Sequence, residues 1–287
     1  AIRRQRQMCI RDRIDITPTV SIILITYNRQ TLLMETIQSI LNQTYSDFEL
    51  IVVDNYSNYD FFQVIKSFNS NKIRAYQNPN NGTIAINRNF GIDKARGKYL
   101  AFCDDDDLWL PNKLEVQMQY FSTSKVDLVS SAIILFGEDL KKQAGKVVYK
   151  KYKNSIEPFL CNKITPSTVV VVNSPEIRFD ENPDYNCSED WALWLKLIIL
   201  KFRILQIETP LIYYRMTSSN LTKLNKIQPD FKAIRILRNL HNMYKDRFQD
   251  KYLAIAIIYH SIKAFLRSTR TVSYTHLRAH ETLRHLV

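Results

Sequence analysis

Three runs of residues constrain the fold of this chain more than any other feature. Val20–Thr26, Phe48–Val53 and Tyr99–Cys103 are almost continuously apolar and rich in β-branched or aromatic side chains, as strands covered on both faces must be. Between them the period changes. Leu32, Leu33, Thr36, Ile37, Ile40 and Leu41 recur at helical spacing, residues 61–68 make a short helix, and another is expected from Thr83 to about Ala95. Such alternation implies an α/β fold with a mostly parallel sheet flanked by helices. Further strands are expected at Ile73–Gln77, Asp127–Phe136 and Thr168–Val172, with two short ones at Ile204–Ile207 and Leu211–Arg215. Asp190–Leu200 and the stretch beyond Pro229 read as helices, whereas the polar, Lys-rich residues 137–165 fit no pattern.

With 287 residues, 45% of them hydrophobic and 24% charged, the chain can bury a sizeable core. The formal net charge of +12 is unevenly placed: residues 1–13 carry five Arg against one Asp, and residues 271–287 two Arg against one Glu. Neither end has an apolar centre or a helical face, so 1–17 and 271–287 are expected to be non-native or disordered. A folded domain is then expected over 18–220, with a helical extension over 221–270. The four Cys, at 9, 103, 161 and 187, lack metal-ligand spacing and suit reduced thiols. No apolar run approaches the ~20 residues that span a bilayer. The expectation is a cytoplasmic protein, soluble or peripheral on the inner face of the membrane, where the basic amphipathic stretch 229–267 could meet anionic lipid. The basic residues form no aromatic-interleaved patch, which argues against nucleic acid.

The chemistry concentrates at strand ends. Asp104, Asp105, Asp106 and Asp107 follow a buried strand directly, and four adjacent carboxylates repel one another unless a cation sits among them. Hard divalent ions such as Mg²⁺ or Mn²⁺ take carboxylate oxygens and bridge them to phosphates. Asp104 and Asp106 read as the working pair, Asp105 and Asp107 as supporting or solvated. Thr26, Tyr27, Asn28 and Arg29 close the first strand and Asp54 the second, where a Tyr ring can stack on a base and a carboxylate can accept from a ring N–H. Asn28 or Thr31 would equally cap the next helix. Arg88 lies in a helix directed at the acidic strand and suits a pyrophosphate. Ser188, Glu189 and Asp190 stand where a cap and first-turn acids belong, and a general base for a hydroxyl is also wanted.

Taken in order, Thr-x-Tyr-Asn-Arg, a strand-end Asp, Asn-x-Gly with Arg-Asn-x-Gly, Asp-x-Asp-Asp and Glu-Asp-Trp resemble the family-two inverting glycosyltransferases of the GT-A fold, over about residues 18–220. Gly97–Pro111 with Lys113, Leu114 and Glu115 is the most specific piece. The resemblance implies a doubly wound, mixed and mostly parallel GT-A sheet and a nucleoside-diphosphate sugar donor, a UDP-sugar, with Thr26, Tyr27, Arg29, Asp54, Arg88, Asp104 and Asp105 at the nucleotide. Asp106, with Asp104, would hold Mn²⁺ or Mg²⁺. Asp190, beside Glu189, would activate a hydroxyl of a saccharide or lipid-linked saccharide acceptor in bacterial surface-polysaccharide or glycolipid synthesis. Thr217 stands where many relatives carry a His. A sugar-nucleotidyltransferase would want a Gly-rich loop after the first strand, and Thr26–Gln30 holds no Gly. A non-catalytic nucleotide-sugar or glycan-binding module is the other alternative; the presence of Asp104, Asp106 and Asp190 together argues against it.

Overall fold

A computed structural model describes residues 17–137, 145–216, 229–247 and 251–266. The expectations for residues 1–16, for Thr217 and for the tail beyond 266 fall outside these. Among the described residues, strands β1 (Val20–Thr26), β2 (Phe48–Asp54), β3 (Ile73–Gln77) and β4 (Tyr99–Asp104) form the parallel half of one sheet, in the order β3-β2-β1-β4. Their buried runs appear in sequence because helices cover both faces, so alternation is absent and apolarity continuous. On one face α1 (Gln30–Leu41) and α2 (Phe61–Ser67) bury Leu33, Ile37, Ile40 and Phe61 against Ile22, Leu24 and Leu50. On the other, α3 (Ile84–Lys94) packs Ala85 and Ile92 with Ile23, Leu100 and Phe102.

Beyond β4 the sheet becomes mixed. After β5 (Leu108–Trp109) and α4 (Lys113–Thr123) come β6 (Leu128–Phe136), β7 (Val147–Val148), α5 (Glu157–Leu160), β8 (Val169–Val172), α6 (Glu189–Ile199) and β9 (Ile204–Arg215). β8 is antiparallel to both β4 and β6, β9 runs parallel to β6, and β5 closes the order antiparallel to β9. The two short strands expected at 204–207 and 211–215 are therefore one. Pro210 lacks an N–H for the ladder, and the register against β6 shifts around Ala132, so a bulged strand reads in sequence as an interrupted one.

Two C-terminal helices, α7 (Pro229–Met243) and α8 (residues 251–266), dock on α6 rather than on the sheet. Ala233, Ile236, Leu237 and Leu240 of α7 and Ala256 of α8 share a core with Trp191, Leu195 and Phe159. His260 and Asp230 face each other within that interface, Nδ1 to Oδ1 at 3.1 Å. No helix among the described residues is long and apolar enough to cross a membrane.

One close approach fixes the start of β4. The Gly97 N–H donates to Ser21 Oγ at 2.8 Å, and a Cβ on Gly97 would lie 2.6 Å from the Ser21 nitrogen and 2.9 Å from the Val20 carbonyl carbon. Backbone cannot yield as a flexible side chain does. Gly97→Ala is therefore expected to destabilise the fold by about 1–3 kcal/mol, read as a lowered urea midpoint.

Candidate functional site

The four aspartates sit in a turn whose backbone is gripped from several sides. The Asp104 N–H donates to Ser167 Oγ at 3.1 Å, Thr36 Oγ1 lies 3.0 and 2.9 Å from the carbonyl oxygens of Asp105 and Asp107, and Arg215 Nε donates to the Asp106 carbonyl at 2.9 Å. These anchors come from three separate stretches of chain. The sequence reading placed Thr36 in the apolar stripe of α1 without a role; a hydroxyl centred in such a stripe is the signal that a buried acceptor awaits it. Asn28, expected as a cap, instead has φ 54° and accepts the Asn58 N–H at 2.8 Å, and no side chain caps α1.

Of the two roles expected for Asp105 and Asp107, supporting or solvated, burial leaves the first. Both are buried. Asp105 accepts Thr26 Oγ1 at 2.7 Å and Arg29 Nη1 at 3.0 Å, and burial lifts its carboxyl to about 6 although Arg29 opposes the rise. Asp107 Oδ1 accepts the Arg215 N–H at 3.2 Å, and burial, with the charges of Asp106 and Asp104, pushes this carboxyl well up. Asp104 and Asp106 keep 31% and 17% of their side-chain surface. Burial and the Asp104 charge raise Asp106, while Arg29 Nη1, 2.9 Å from it, pulls the other way. The pair thus presents hard oxygen donors to an open cavity. No group of three ligating side chains suited to a metal occurs among the described residues. A donor set of two carboxylates under mutual repulsion fits a divalent ion whose remaining ligands are substrate phosphate and water.

Arg88 is the second centre of charge. Its guanidinium is buried, donating to Asp104 Oδ1 at 2.7 Å and to Glu189 Oε1 at 2.5 Å. Burial alone would lower its pKa, and the charges of Asp104 and Glu189 more than reverse that, so it stays a cation. Carboxylates occupy both of its arms, and its side chain also lines the first of two cavities. Next to it, Asn89 forms paired hydrogen bonds at 2.9 Å with the backbone N–H and carbonyl of Phe179. α3 therefore holds the loop 179–189 at both ends and places Asp190 behind Glu189.

Asp190 Oδ2 accepts Asn162 Nδ2 at 2.8 Å and Oδ1 the Trp191 N–H at 2.7 Å. Burial, and then the Glu189 charge, raises its carboxyl to about 7. Asn162 belongs to the stretch that fitted no pattern, and nothing in its neighbours marked it. Asp54 is fully buried, with Oδ2 accepting Gln77 Nε2 at 3.0 Å and the Ser57 N–H at 2.9 Å. It shapes the loop after β2 rather than lining the cavity, where Asn55 and Asn80 appear instead.

Two cavities meet at this turn. One, of about 380 Å³, is lined by Thr26, Tyr27, Arg29, Asn55, Asn80 and Asp106. The other, of about 360 Å³, is lined by Lys150, Asn162, Lys163, Thr165, Glu189 and Asp190. Ile84, Arg88, Asp104 and Tyr214 belong to both walls. Replacing Arg88 by Met would leave Asp104 and Glu189 uncompensated in a buried setting. A loss of about 3–5 kcal/mol in urea unfolding is expected, against far less for the paired change with Glu189→Gln.

An uncharacterised glycosyltransferase of Methanocaldococcus jannaschii is 31% identical over 221 residues, covering 73% of this chain and 75% of its own. An Escherichia coli protein named UDP-Glc:alpha-D-GlcNAc-diphosphoundecaprenol beta-1,3-glucosyltransferase is 27% identical over 234 residues, covering 77% of this chain and 86% of its own. Among solved structures, residues 1–349 of S. aureus TarS in complex with UDP-GlcNAc superpose with a TM-score of 0.66 at 19% identity, over 84% of this chain and 72% of that one, a likeness of fold. The model of glycosyl transferase family 2 matches residues 21–191, from the first residues of β1 to the start of α6, and the chain belongs to that family.

Proposed function

We propose that the chain moves a sugar from a nucleoside-diphosphate sugar, a UDP-sugar, to a hydroxyl of a saccharide or lipid-linked saccharide in bacterial polysaccharide or glycolipid synthesis, with inversion at the transferred carbon. The observation that carries this is the shared wall: a carboxylate able to act as base, Asp190, lines one cavity only, Asp106 lines the other, and Asp104 stands in the wall common to both. In this reading Tyr27, exposed at the first cavity, stacks on the base, Thr26 and Arg29 hold Asp105 so that the phosphate side of the cavity keeps its shape, and Asp54 sets the loop beneath. Arg88 orients Asp104 and, through Glu189, the helix end that carries Asp190.

The reaction is one displacement. The acceptor oxygen attacks the anomeric carbon, its proton passes to the Asp190 carboxylate, and the bond to the diphosphate breaks with its electron pair leaving on the phosphate oxygen. Asp106 and Asp104 would hold Mn²⁺ or Mg²⁺, and the chemistry such an ion supplies when bound is neutralisation of the departing diphosphate. Asp190 must be deprotonated to act, and its carboxyl titrates near 7. Turnover at low acceptor concentration should accordingly fall about tenfold per pH unit below that point and level off above it. Asp190→Asn should lower turnover by about 10³-fold, and Asp106→Ala should remove it, both with a retained fold by circular dichroism. Wild-type-like transfer in either variant contradicts the assignment.

The docked C-terminal helices support peripheral contact with an anionic membrane. Ile255, Ile258 and Ile262 of α8 are half exposed or more, residues 251–266 include Lys251 and Lys263, and they contain no acid. The double change Ile258→Glu, Ile262→Glu is expected to abolish cosedimentation with phosphatidylglycerol vesicles, while an unchanged bound fraction would rule out this face.

A further inference from the structure

Asp190 is braced by a helix that lies outside the segment matched by the family model. Its Oδ2 accepts Asn162 Nδ2 at 2.8 Å. Asn162 Oδ1 in turn accepts the Ile164 N–H at 3.0 Å, which leaves the amide nitrogen as the end that faces Asp190. Three residues before Asn162, the Phe159 carbonyl faces His260 Nε2 of α8 at 3.2 Å. A carbonyl only accepts, so the imidazole donates there. The other ring nitrogen, Nδ1, faces Asp230 of α7, and His260 is buried between them. Tyr252 of the same helix stacks on the Phe159 ring, with centroids 5.8 Å apart and planes 24° apart.

The same imidazole meets Asp190 along a second line. Its ring lies edge to face against Trp191, 5.8 Å between centroids at 61°. Trp191 follows Asp190 directly; its N–H donates to Asp190 Oδ1 at 2.7 Å, and its indole Nε1 donates to the Pro158 carbonyl at 2.8 Å. The short helix α5 is thus pinned between Trp191 of α6 and the pair His260 and Tyr252 of α8. The chain leaving it carries the amide that binds Asp190. A helix of four residues has too few internal hydrogen bonds to keep that place unaided.

We infer that His260 is a positioning residue for Asp190, acting through the Phe159 carbonyl and Asn162, so that the C-terminal helices complete the surroundings of the base. This deepens the proposed transfer reaction and rests on Asp190 being its base. His260 lines neither of the two cavities, so it acts by placement alone. Burial lifts the Asp190 carboxyl to about 7, with the Asn162 amide among the contacts that oppose the rise. A hydrogen bond to the ionised form favours that form. Without the amide the carboxyl holds its proton to higher pH, and less of it is ready to take one from a hydroxyl.

The test follows the Asp190 carboxyl itself, by carbon-13 NMR of the full chain labelled in its Asp side chains, with the resonance assigned by its absence in Asp190→Asn. Titration midpoints are compared between variants. Asn162→Ala and His260→Ala should each raise the midpoint by about one pH unit, and the double variant by no more than either alone, because both remove the same contact. His260→Gln keeps a donor where Nε2 stood, toward Phe159, and should keep the wild-type midpoint. His260→Asn keeps one where Nδ1 stood, toward Asp230, and should match the Ala variant. A residue that merely tied α7 to α8 would give the opposite order, and this pair decides the question even where His260→Ala does not fold by circular dichroism. Additive shifts in the double variant, or a midpoint in His260→Asn no higher than in His260→Gln, overturn the inference. Failure of the transfer reading shows separately: undiminished UDP-sugar turnover in Asp190→Asn would remove Asp190 as base, whatever the midpoints do.

Discussion

A single buried guanidinium holds the two halves of the site together. Arg88 lies between Asp104 at the end of β4 and Glu189 at the start of α6, residues separated by 85 positions in sequence. A buried cation with one carboxylate would be poorly balanced, and without the cation the buried Glu189 would lose its counter-charge. The ion triad is therefore a constraint on geometry: once α3 is packed on the sheet, the strand-end acid and the start of α6 have one mutual position. Asn89, bound to Phe179 a few residues earlier, fixes the same loop by hydrogen bonds that carry no charge.

Around this triad the acidic turn is organised in advance. Its carbonyls and N–H groups are bound by Thr36, Ser167 and Arg215, so the carboxylates of Asp104 and Asp106 are aimed without a reorganisation step. Charge density is kept tolerable by neutralising from within. Asp105 leans on Arg29 and Thr26, and Asp107 is pushed toward its protonated form. Asp105 and Asp107 are buried in the turn, while Asp104 and Asp106 keep the larger exposure toward the cavity.

What was legible in the sequence follows from how many neighbours a residue needs to declare itself. β1, β2 and β4 announce themselves because both faces are covered, and a covered strand is apolar throughout. β5 does not, because Leu108 and Trp109 pair with Tyr213 and Ile212, more than a hundred residues away. The acidic run was visible as a site from repulsion alone, yet Asp105 and Asp107 could not be distinguished as buried without knowing that Thr26, Arg29 and Arg215 reach them. Arg88 was legible as a cation in a helix directed at the acidic strand, whereas its ion pairs with Asp104 and Glu189 depend on the fold. Asn162 and Ser167 were invisible, being ordinary polar residues whose significance is entirely positional.

The wall common to both cavities has a further consequence. It consists of Ile84, Arg88, Asp104 and Tyr214 and is one side chain thick. A substitution there that enlarges one chamber alters the floor of its neighbour. Changes at the outer rims, where each chamber has lining of its own, can reshape one alone, whereas changes in the partition reshape both. The route by which such a fold diversifies is written into which of its residues are shared.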